Sequence, residues 1–333
     1  MSRLRQLIVA ASLAALSQVA AAAFGGLYVF GDSLSDSGNI ALAIGSDPSQ
    51  VITGNSYIPS MPYASDQFTN GDVWVKDFAT LIGLAPFGQP SLAGGGDFAF
   101  GGARVATDGA GLPPSLTMQE SFFFGATGGV APSNALYVIE GGGNDARDAL
   151  EQVAMSAHPF QDLSAIAGAA AAAYADATGT LIDQLQAAGA QRIIVWDVPD
   201  IGKTPAVRSG GLLASFFGSF IASAMNDALL ARLASEGSDV SLFDIFGLVH
   251  QVIADPAAWG LVNVTDACGA PSNNCDPATA LYWDGIHPTA TTHELIAGQL
   301  ALAVPEPAEV ALMLSGLALV GWRVRRARAS AAL

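Results

Sequence analysis

Basic residues are scarce in this chain. Its 333 residues include 13 Lys and Arg against 29 Asp and Glu, which gives a formal net charge of −16. Six of the basic residues lie in the first five and last eleven positions, so residues 24–304 hold seven basic and 27 acidic residues, a net charge of −20. A body of that charge repels nucleic acid and anionic lipid surfaces, so nucleic acid is not expected as a partner.

Cysteine is almost absent, with two residues in the whole chain, Cys268 and Cys275. Two thiols alone make a poor metal site. In an exported chain, such a pair in a Gly-, Pro- and Asn-containing loop is expected to form a disulfide. The bridge would fix the segment that leads into Asp284 and His287.

No Gly-x-Ser-x-Gly occurs anywhere in the sequence. This absence excludes the nucleophile elbow of ordinary α/β-hydrolases as the model for a catalytic serine.

Charged residues make up only 13% of the chain and hydrophobic residues 51%. A chain of this length and composition is long enough for one large α/β domain with a full core.

Apolar runs alternate with helical patterns along the chain. Strands are predicted at 27–30, 98–100, 137–139, 192–197 and 240–243, and helices at 72–82, 163–188, 212–234 and 245–254. This alternation predicts a doubly wound parallel sheet in three layers. Between these elements, Tyr57, Tyr63 and Phe68 either line a pocket or pack their loop, and residues 122–124 are either an acyl lining or core.

Ser33 stands directly after the first predicted strand, in Gly-Asp-Ser-Leu-Ser-Asp-Ser-Gly-Asn at residues 31–39. In open α/β sheets that edge is where ligands bind. A serine exposed there, with its own N–H turned into the loop, has what a nucleophile beside an oxyanion site requires. The alternative is an ordinary capped turn between a strand and a helix, with Asp36 or Ser37 as the cap.

Asp284 stands three residues before His287, in Tyr-Trp-Asp-Gly-Ile-His-Pro at residues 282–288. That spacing lets the carboxylate reach the imidazole Nδ1–H and fix its tautomer, which leaves Nε2 free to take a serine proton. A metal site that used His287 and His293 would lack further ligands. The remaining histidines are expected to be structural: His158, His250 and His293.

Two further blocks place glycines at the ends of predicted strands. Phe-Ala-Phe-Gly-Gly-Ala covers residues 98–103, and Tyr-Val-Ile-Glu-Gly-Gly-Gly-Asn-Asp covers residues 137–145. Gly102 either lets a substrate oxygen approach the backbone or makes a tight turn with positive φ. A metal site at Glu140 and Asp145 would lack a third ligand.

These four blocks, in this order, resemble the GDSL lipases and esterases, also called SGNH hydrolases. The resemblance implies a flavodoxin-like, three-layer α/β/α sandwich with five parallel strands over residues 24–303. It implies a serine esterase or lipase that needs no cofactor and acts on a small-molecule or lipid ester. Ser33 would be the nucleophile, His287 the base and Asp284 the acid that orients it.

The same resemblance implies an oxyanion hole formed by the N–H groups of Ser33 and Gly102 and by the Asn144 side-chain amide. An amide suits this role because it donates a hydrogen bond without carrying charge. Asp97 stands where the family usually has an asparagine, and this departure affects a hydrogen bond that supports the loop containing Gly102.

Two alternative functions remain: a deacetylase acting on carbohydrate esters, and a non-enzymatic matrix protein on the same fold.

Both ends of the chain differ in composition from its body. Residues 1–23 have a basic start, an apolar run and four alanines, which predict a signal peptide cleaved near Ala22 or Ala23 rather than a first transmembrane helix. Residues 304–333 contain Val-Pro-Glu-Pro, an apolar stretch and four arginines. They read as a membrane anchor, or as the PEP-CTERM sorting signal of Gram-negative bacteria, which they resemble. That resemblance implies cleavage by an exosortase, a secreted or cell-surface location and an association with extracellular polysaccharide.

Overall fold

Short apolar segments form the sheet at the centre of the domain. The computed structural model describes residues 24–237 and 239–304. Within these residues, four parallel strands lie side by side in the order β1 (Gly26–Phe30), β2 (Ala135–Ile139), β3 (Ile193–Trp196) and β4 (Val240–Phe243). The predictions made for residues 1–23 and 305–333 lie outside the described residues.

Each strand contributes side chains to two separate cores, because successive residues of a strand point to opposite faces. On β2, Tyr137 and Ile139 pack into one cluster, whereas Leu136 and Val138 pack into the other. Continuous apolar strands are typical of parallel sheets that are covered on both faces. The predicted α/β class is confirmed.

Helices cover both faces of the sheet. In chain order, the α-helices of the described residues are α1 (Asn39–Ile44), α2 (Trp74–Leu81), α3 (Leu116–Thr127), α4 (Gly143–Met155), α5 (Pro159–Ala187), α6 (Pro205–Ser209), α7 (Leu212–Leu233), α8 (Ile245–Ala254) and α9 (Ala290–Ala303). The core on one face takes residues from α3, α4, α5 and α7, and the core on the other from α2, α8 and α9.

The prediction of five strands is wrong in its count, because residues 98–100 do not form a strand. This segment does run beside β1: Phe98 N–H donates to the carbonyl of Val29 and Phe100 N–H to that of Gly31. The ladder stops because Gly31 N–H donates to Gln119 Oε1 at 2.9 Å instead of returning a bond to the segment. The central sheet therefore has four strands and an irregular edge.

A second, two-stranded parallel sheet was not predicted from the sequence. It pairs β5 (Asn263–Ala267) with β6 (Ala280–Tyr282). The first of these segments reads Asn-Val-Thr-Asp-Ala, which has only one large apolar residue, and the second is three residues long. Neither pattern carries the apolar run or alternation by which strands are recognised.

Helices α5 and α7 are long and apolar enough to cross a membrane by length and composition. In the structure they supply buried residues to the same core, among them Leu181 and Ile182 from α5 and Ile221 and Met225 from α7. Their apolar character therefore agrees with the packed core helices that the sequence predicts.

A buried carboxyl group on α3 makes the stability of the domain depend on pH. Glu120 is 1% exposed, and its Oε1 has no hydrogen-bond partner among the described residues. Burial raises the pKa of Glu120 to about 8. A carboxyl whose pKa is higher in the folded state binds its proton more tightly there, so the free energy of unfolding falls as the pH rises from the unfolded pKa to about 8.

Glu120→Gln removes this ionisation while keeping the shape of the side chain. The variant is expected to melt at a higher temperature than wild type. This difference in melting temperature should increase by roughly several degrees between pH 5 and pH 9. Glu294→Gln, on the exposed face of α9, removes the same charge and serves as the control. A Glu120→Gln margin that is equal at both pH values would contradict the assignment.

Candidate active site

The loop after β1 is held in place by its own carboxylates. Asp32 Oδ1 accepts a hydrogen bond from Leu34 N–H at 3.0 Å. Asp36 accepts from the N–H groups at the start of α1 and from Gly101 N–H at 2.8 Å, so it ties this loop to the next one. Asp36 is thus the residue that caps the turn, and Ser33 stays at the edge of the sheet with 8% of its surface exposed.

Ser33, His287 and Asp284 form one hydrogen-bonded chain. Ser33 Oγ lies 2.8 Å from His287 Nε2, and His287 Nδ1 lies 2.7 Å from Asp284 Oδ2. The three side chains come from loops at opposite ends of the chain, one after β1 and one between β6 and α9. In this arrangement Nδ1–H donates to the carboxylate, so Nε2 is the nitrogen that is free to accept the serine proton.

Asp284 is fully buried and accepts four hydrogen bonds. Its Oδ1 accepts from the N–H groups of Ile286 and His287, both at 2.8 Å. Its Oδ2 accepts from His287 Nδ1–H and from the hydroxyl of Tyr63 at 2.8 Å. These bonds hold the carboxylate in one orientation and compensate the cost of burying it.

The loop aromatics therefore have different roles. Tyr63 bonds to Asp284, and the Phe68 ring lies 5.5 Å from the imidazole of His287. Phe123 is fully buried in the core, whereas Phe122 is 44% exposed. The sequence did not identify Tyr63 as part of the site, because its contact with Asp284 spans 221 positions.

The backbone N–H groups of Ser33 and Gly102 are available to a ligand. Gly102 has φ of 82°, and a Cβ there would meet Pro113 at 3.5 Å, so the backbone conformation rather than space requires glycine. Among the described residues, neither Ser33 N–H nor Gly102 N–H donates to an acceptor. The predicted turn with positive φ at Gly102 is confirmed, and the approach of a substrate oxygen to its N–H stays a prediction.

Asn144 lies on the first turn of α4, and its amide is already hydrogen-bonded. Nδ2 donates to Asp32 Oδ2 at 3.1 Å and to the carbonyl of Ala103 at 3.0 Å. The cap of this helix is Gly142, so Asn144 does not cap the turn. Gly142 is required there, because a Cβ would lie 2.7 Å from Tyr174 and φ is 93°.

Asp145 and Asp97 support the adjacent loops. Asp145 Oδ2 accepts from Val105 N–H at 3.2 Å, which braces the segment that contains Gly102. Asp97 is fully buried and accepts from the N–H and hydroxyl of Ser37 and from the N–H of Ala99. Each of these partners donates a hydrogen bond, so a carboxylate can accept all of them at the position where the family usually has an asparagine.

Glu140 lies beneath the nucleophile loop. Its Oε2 accepts from Asp32 N–H at 3.1 Å and from the hydroxyl of Ser35 at 2.8 Å. Burial, and then the neighbouring Asp32 carboxylate, raise the pKa of Glu140 well above its ordinary value. Burial raises the pKa of Asp32 as well. Glu140 therefore supports the nucleophile loop.

The other histidines are not placed for proton transfer from Ser33. His158 is exposed at the start of α5, and His250 Nε2 lies 2.8 Å from Asp200 Oδ2. His293 is buried in α9, where burial, and then the charge of His287, lower its pKa to about 3. Within residues 24–237 and 239–304, no group of three or more His, Cys, Asp or Glu could hold a metal ion.

A mainly apolar pocket opens beside Ser33. The polar residues that line it are Asp32, Ser33, Asn144, Arg147, Asp200, Thr204, Tyr282, His287 and Thr292. Its apolar lining comes from β3, β6, α8 and α9 and includes Trp196, Ile245, Leu248, Val252, Leu281 and Ile296. The sequence did not locate this pocket, because its walls come from four separate elements.

Cys268 and Cys275 form a disulfide, as predicted, with their Cα atoms 5.2 Å apart. Cys268 N–H donates to the carbonyl of Tyr282 and Gly269 N–H to that of Trp283. The bridged loop is therefore hydrogen-bonded to the two residues that precede Asp284.

Comparison with known proteins places this chain in a family. The model of the GDSL-like lipase/acylhydrolase family matches residues 27–300. Esterase EstA of Pseudomonas aeruginosa is 30% identical over 355 aligned residues, which cover 93% of this chain and 52% of the esterase. The chain thus spans about half the length of that relative.

Two further relatives are similar over shorter stretches. The phosphatidylcholine-sterol acyltransferase of Aeromonas hydrophila is 25% identical over 253 residues, 74% of this chain and 66% of that protein. The thermolabile hemolysin of Vibrio parahaemolyticus is 25% identical over 295 residues, 81% of this chain and 61% of that protein. Together with the family model, these similarities show that the chain belongs to the GDSL-like lipase/acylhydrolase family, a family of ester-hydrolysing enzymes.

Proposed function

We propose that the protein is an exported serine esterase or lipase that hydrolyses carboxylic esters with an apolar acyl group. The observation that carries this proposal is the chain of hydrogen bonds from Ser33 Oγ to His287 and on to Asp284, with Ser33 and His287 lining a mainly apolar pocket. Acyl transfer requires a nucleophile, a base and an orienting acid that lie within hydrogen-bond distance of one another.

The reaction begins when an ester carbonyl lies beside Ser33 with its acyl chain in the pocket. Ser33 Oγ attacks the carbonyl carbon while its proton moves to His287 Nε2. Asp284 stabilises the imidazolium that forms, through the bond to Nδ1–H. The imidazolium then gives its proton to the leaving alkoxide, and an acyl-enzyme remains on Ser33.

Water completes the cycle by the same route. His287 takes a proton from water, the hydroxide attacks the acyl carbonyl, and Ser33 Oγ leaves with the proton from Nε2. In both halves the carbonyl oxygen becomes an oxyanion. We assign its donors to Ser33 N–H and Gly102 N–H, both of which have no acceptor among the described residues, and to the Asn144 amide.

Asn144 has to share its amide hydrogens to fill this role, since both of its present acceptors are internal. Asn144→Ala is therefore expected to lower kcat by roughly 10²–10³ with little change in KM, because the donor acts on the transition state. Steady-state kinetics on a short-chain aryl ester measure both constants. Ser156→Ala, in the loop beyond the far end of α4, serves as a control.

Two outcomes would contradict this role for Asn144. One is an unchanged kcat in a folded Asn144→Ala enzyme, and the other is a loss confined to KM. Asn144→Asp is not a useful variant, because its carboxylate would face the Asp32 carboxylate and the carbonyl of Ala103.

The pocket favours an acyl chain longer than acetyl. Each methylene buried adds ~0.8 kcal/mol, about a fourfold gain in kcat/KM. An acyl series from acetyl to dodecanoyl, assayed beside acetylated sugars, is expected to show kcat/KM rising beyond acetyl. Activity that peaked on acetylated sugars would instead support the carbohydrate ester deacetylase, and no hydrolysis at all would support a non-enzymatic matrix protein.

Export and surface sorting are part of the same proposal, and sequence patterns alone support them. Residues 1–23 would be removed as a signal peptide, and residues 304–333 would be recognised by an exosortase at the cell surface, with extracellular polysaccharide as the surroundings. Mass spectrometry of the mature protein from a Gram-negative host tests both. A chain that keeps its N-terminal 23 residues, or a tail that is uncut in a host with an exosortase, would contradict the corresponding half.

A further inference from the structure

Arg147 lies where two cavities meet. It follows Asn144 by one helical turn on α4, and its guanidinium Nη1 lies 3.4 Å from Asn144 Oδ1. It lines the apolar pocket beside Ser33 and also a second, outer groove. Ile286, the neighbour of His287, lines both as well. A substrate whose acyl chain fills the inner pocket would therefore extend its alcohol half past Arg147.

The charge of Arg147 has no counter-ion, in a body where acidic residues outnumber basic ones almost four to one. None of the ion pairs in residues 24–237 and 239–304 includes Arg147, whereas Arg104, Arg192 and Arg232 each pair with a carboxylate. Burial, and then the charge of Arg104, lower the pKa of Arg147, whereas the charges of Asp148, Asp32 and Asp284 act in the opposite direction. The side chain thus loses hydration without an ion pair at contact distance among the described residues.

The carboxylates nearest to Arg147 on α4 do not neutralise it. Asp148 is held by Arg104 in a two-pronged pair, with Nε to Oδ2 at 2.9 Å and Nη2 to Oδ1 at 2.7 Å. Glu151, one turn further along, is exposed and within ion-pair distance of no described basic residue. The guanidinium of Arg147 is therefore the cationic group at this junction that an anionic ligand would pair with.

We propose that Arg147 binds an anionic group, a carboxylate or a phosphate, on the alcohol half of the ester substrate. This inference rests on the proposed esterase function and narrows its substrate class to anionic amphiphiles. The outer groove is lined by the apolar side chains of Leu150, Val207 and Phe217 together with the charged Arg104, Asp148 and Glu151. Asp148 is held by Arg104, so an alcohol half with an anionic group at Arg147 and an apolar part beside it fits these side chains.

Arginine suits this role because its planar fork donates two parallel hydrogen bonds to a carboxylate or phosphate. Such bonds to a charged group favour the anionic substrate over a neutral one of the same shape by roughly tenfold or more. Arg147→Gln removes the charge, and Arg147→Lys keeps the charge but loses the fork. Arg208→Gln is the matched control, since Arg208 is exposed and lines neither cavity.

The test uses two pairs of esters on the full chain. One pair is meta-(octanoyloxy)benzoate and its benzamide, and the other is octanoyl glycerol phosphate and octanoyl glycerol. The wild-type enzyme is expected to favour the anionic member of at least one pair about tenfold in kcat/KM. The pair with the larger ratio identifies carboxylate or phosphate as the preferred group. Arg147→Gln should reduce that ratio to near one, Arg147→Lys to an intermediate value, and Arg208→Gln should leave it unchanged.

The outcomes separate this inference from the proposed function. Ratios near one in the wild-type enzyme, or a loss in Arg147→Gln that is equal for both members of each pair, would overturn the anion site. The second result would mean that Arg147 acts through Asn144. A wild-type enzyme that hydrolyses none of the four esters would contradict the esterase proposal instead.

A binding measurement decides the inference independently of turnover. Titration of Ser33→Ala with the benzoate and the benzamide is expected to give tighter binding of the benzoate, and the added Arg147→Gln change should remove the difference. Equal affinities for the two compounds in Ser33→Ala would overturn the anion site.

Discussion

Replacing Ser33 by alanine is expected to lower kcat by about 10⁶ in ester hydrolysis, the size of loss that follows removal of a serine nucleophile. The Oγ atom bonds to His287 Nε2, so its loss removes one hydrogen bond at the surface of the pocket. The rest of the nucleophile loop is held by Asp32, Asp36 and Glu140. The melting temperature of the variant should therefore stay close to that of wild type.

Ser35→Ala is the matched control for this result. Ser35 lies on the same loop, but its hydroxyl donates to Glu140 and accepts from Trp74 Nε1–H. Its loss should lower stability by about 1 kcal/mol while the folded enzyme keeps its turnover. The assignment of the nucleophile would be wrong if Ser33→Ala retained turnover, or if Ser35→Ala abolished it in a folded protein.

Replacing Asp284 by asparagine is expected to lower kcat by ~10⁴. The Oδ1 side of the carboxylate accepts two backbone N–H bonds, from Ile286 and His287. An asparagine must keep its oxygen on that side, which turns its NH₂ group toward His287 Nδ1. The imidazole would then carry its proton on Nε2 and could not accept one from Ser33.

Tyr63→Phe provides the comparison for Asp284. It removes the tyrosine bond to Oδ2 and leaves the carboxylate itself in place. We expect a loss of a few fold in kcat, because one neutral donor to a charged group is removed while the tautomer of His287 is kept. Steady-state kinetics across pH 5 to pH 9 separate the two variants. A loss of only a few fold in Asp284→Asn would reduce Asp284 to a minor role and leave His287 as the base.

The local parts of the site were predictable from sequence because each depends on residues close together in the chain. Asp284 and His287 are three positions apart, and Ser33 follows its strand by three positions. The positive φ of Gly102 could be predicted because paired glycines directly after a predicted strand are typical of a tight turn, whereas its oxyanion role was implied by the family resemblance. The alternation of strands and helices was enough to predict an α/β sheet covered on both faces.

The remaining features depend on contacts between distant segments. The predicted strand at 98–100 failed because Gln119 takes the N–H that would continue its ladder. Tyr63 reaches Asp284 across 221 positions, and nothing near Tyr63 in the sequence indicates that contact. Arg147 lies on a helix that the sequence patterns did not predict, and only the structure shows that it forms no ion pair among the described residues while its neighbour Arg104 does.

The identity of the residue labelled by a fluorophosphonate tests the central claim most directly. The reagent forms a covalent bond with a serine that an adjacent base activates, and peptide mass spectrometry then locates the adduct. With the full chain, a single adduct on the peptide that contains Ser33 is expected, and His287→Ala should prevent its formation. An adduct on another serine, or an undiminished Ser33 adduct in His287→Ala, would contradict the account of the active site given above.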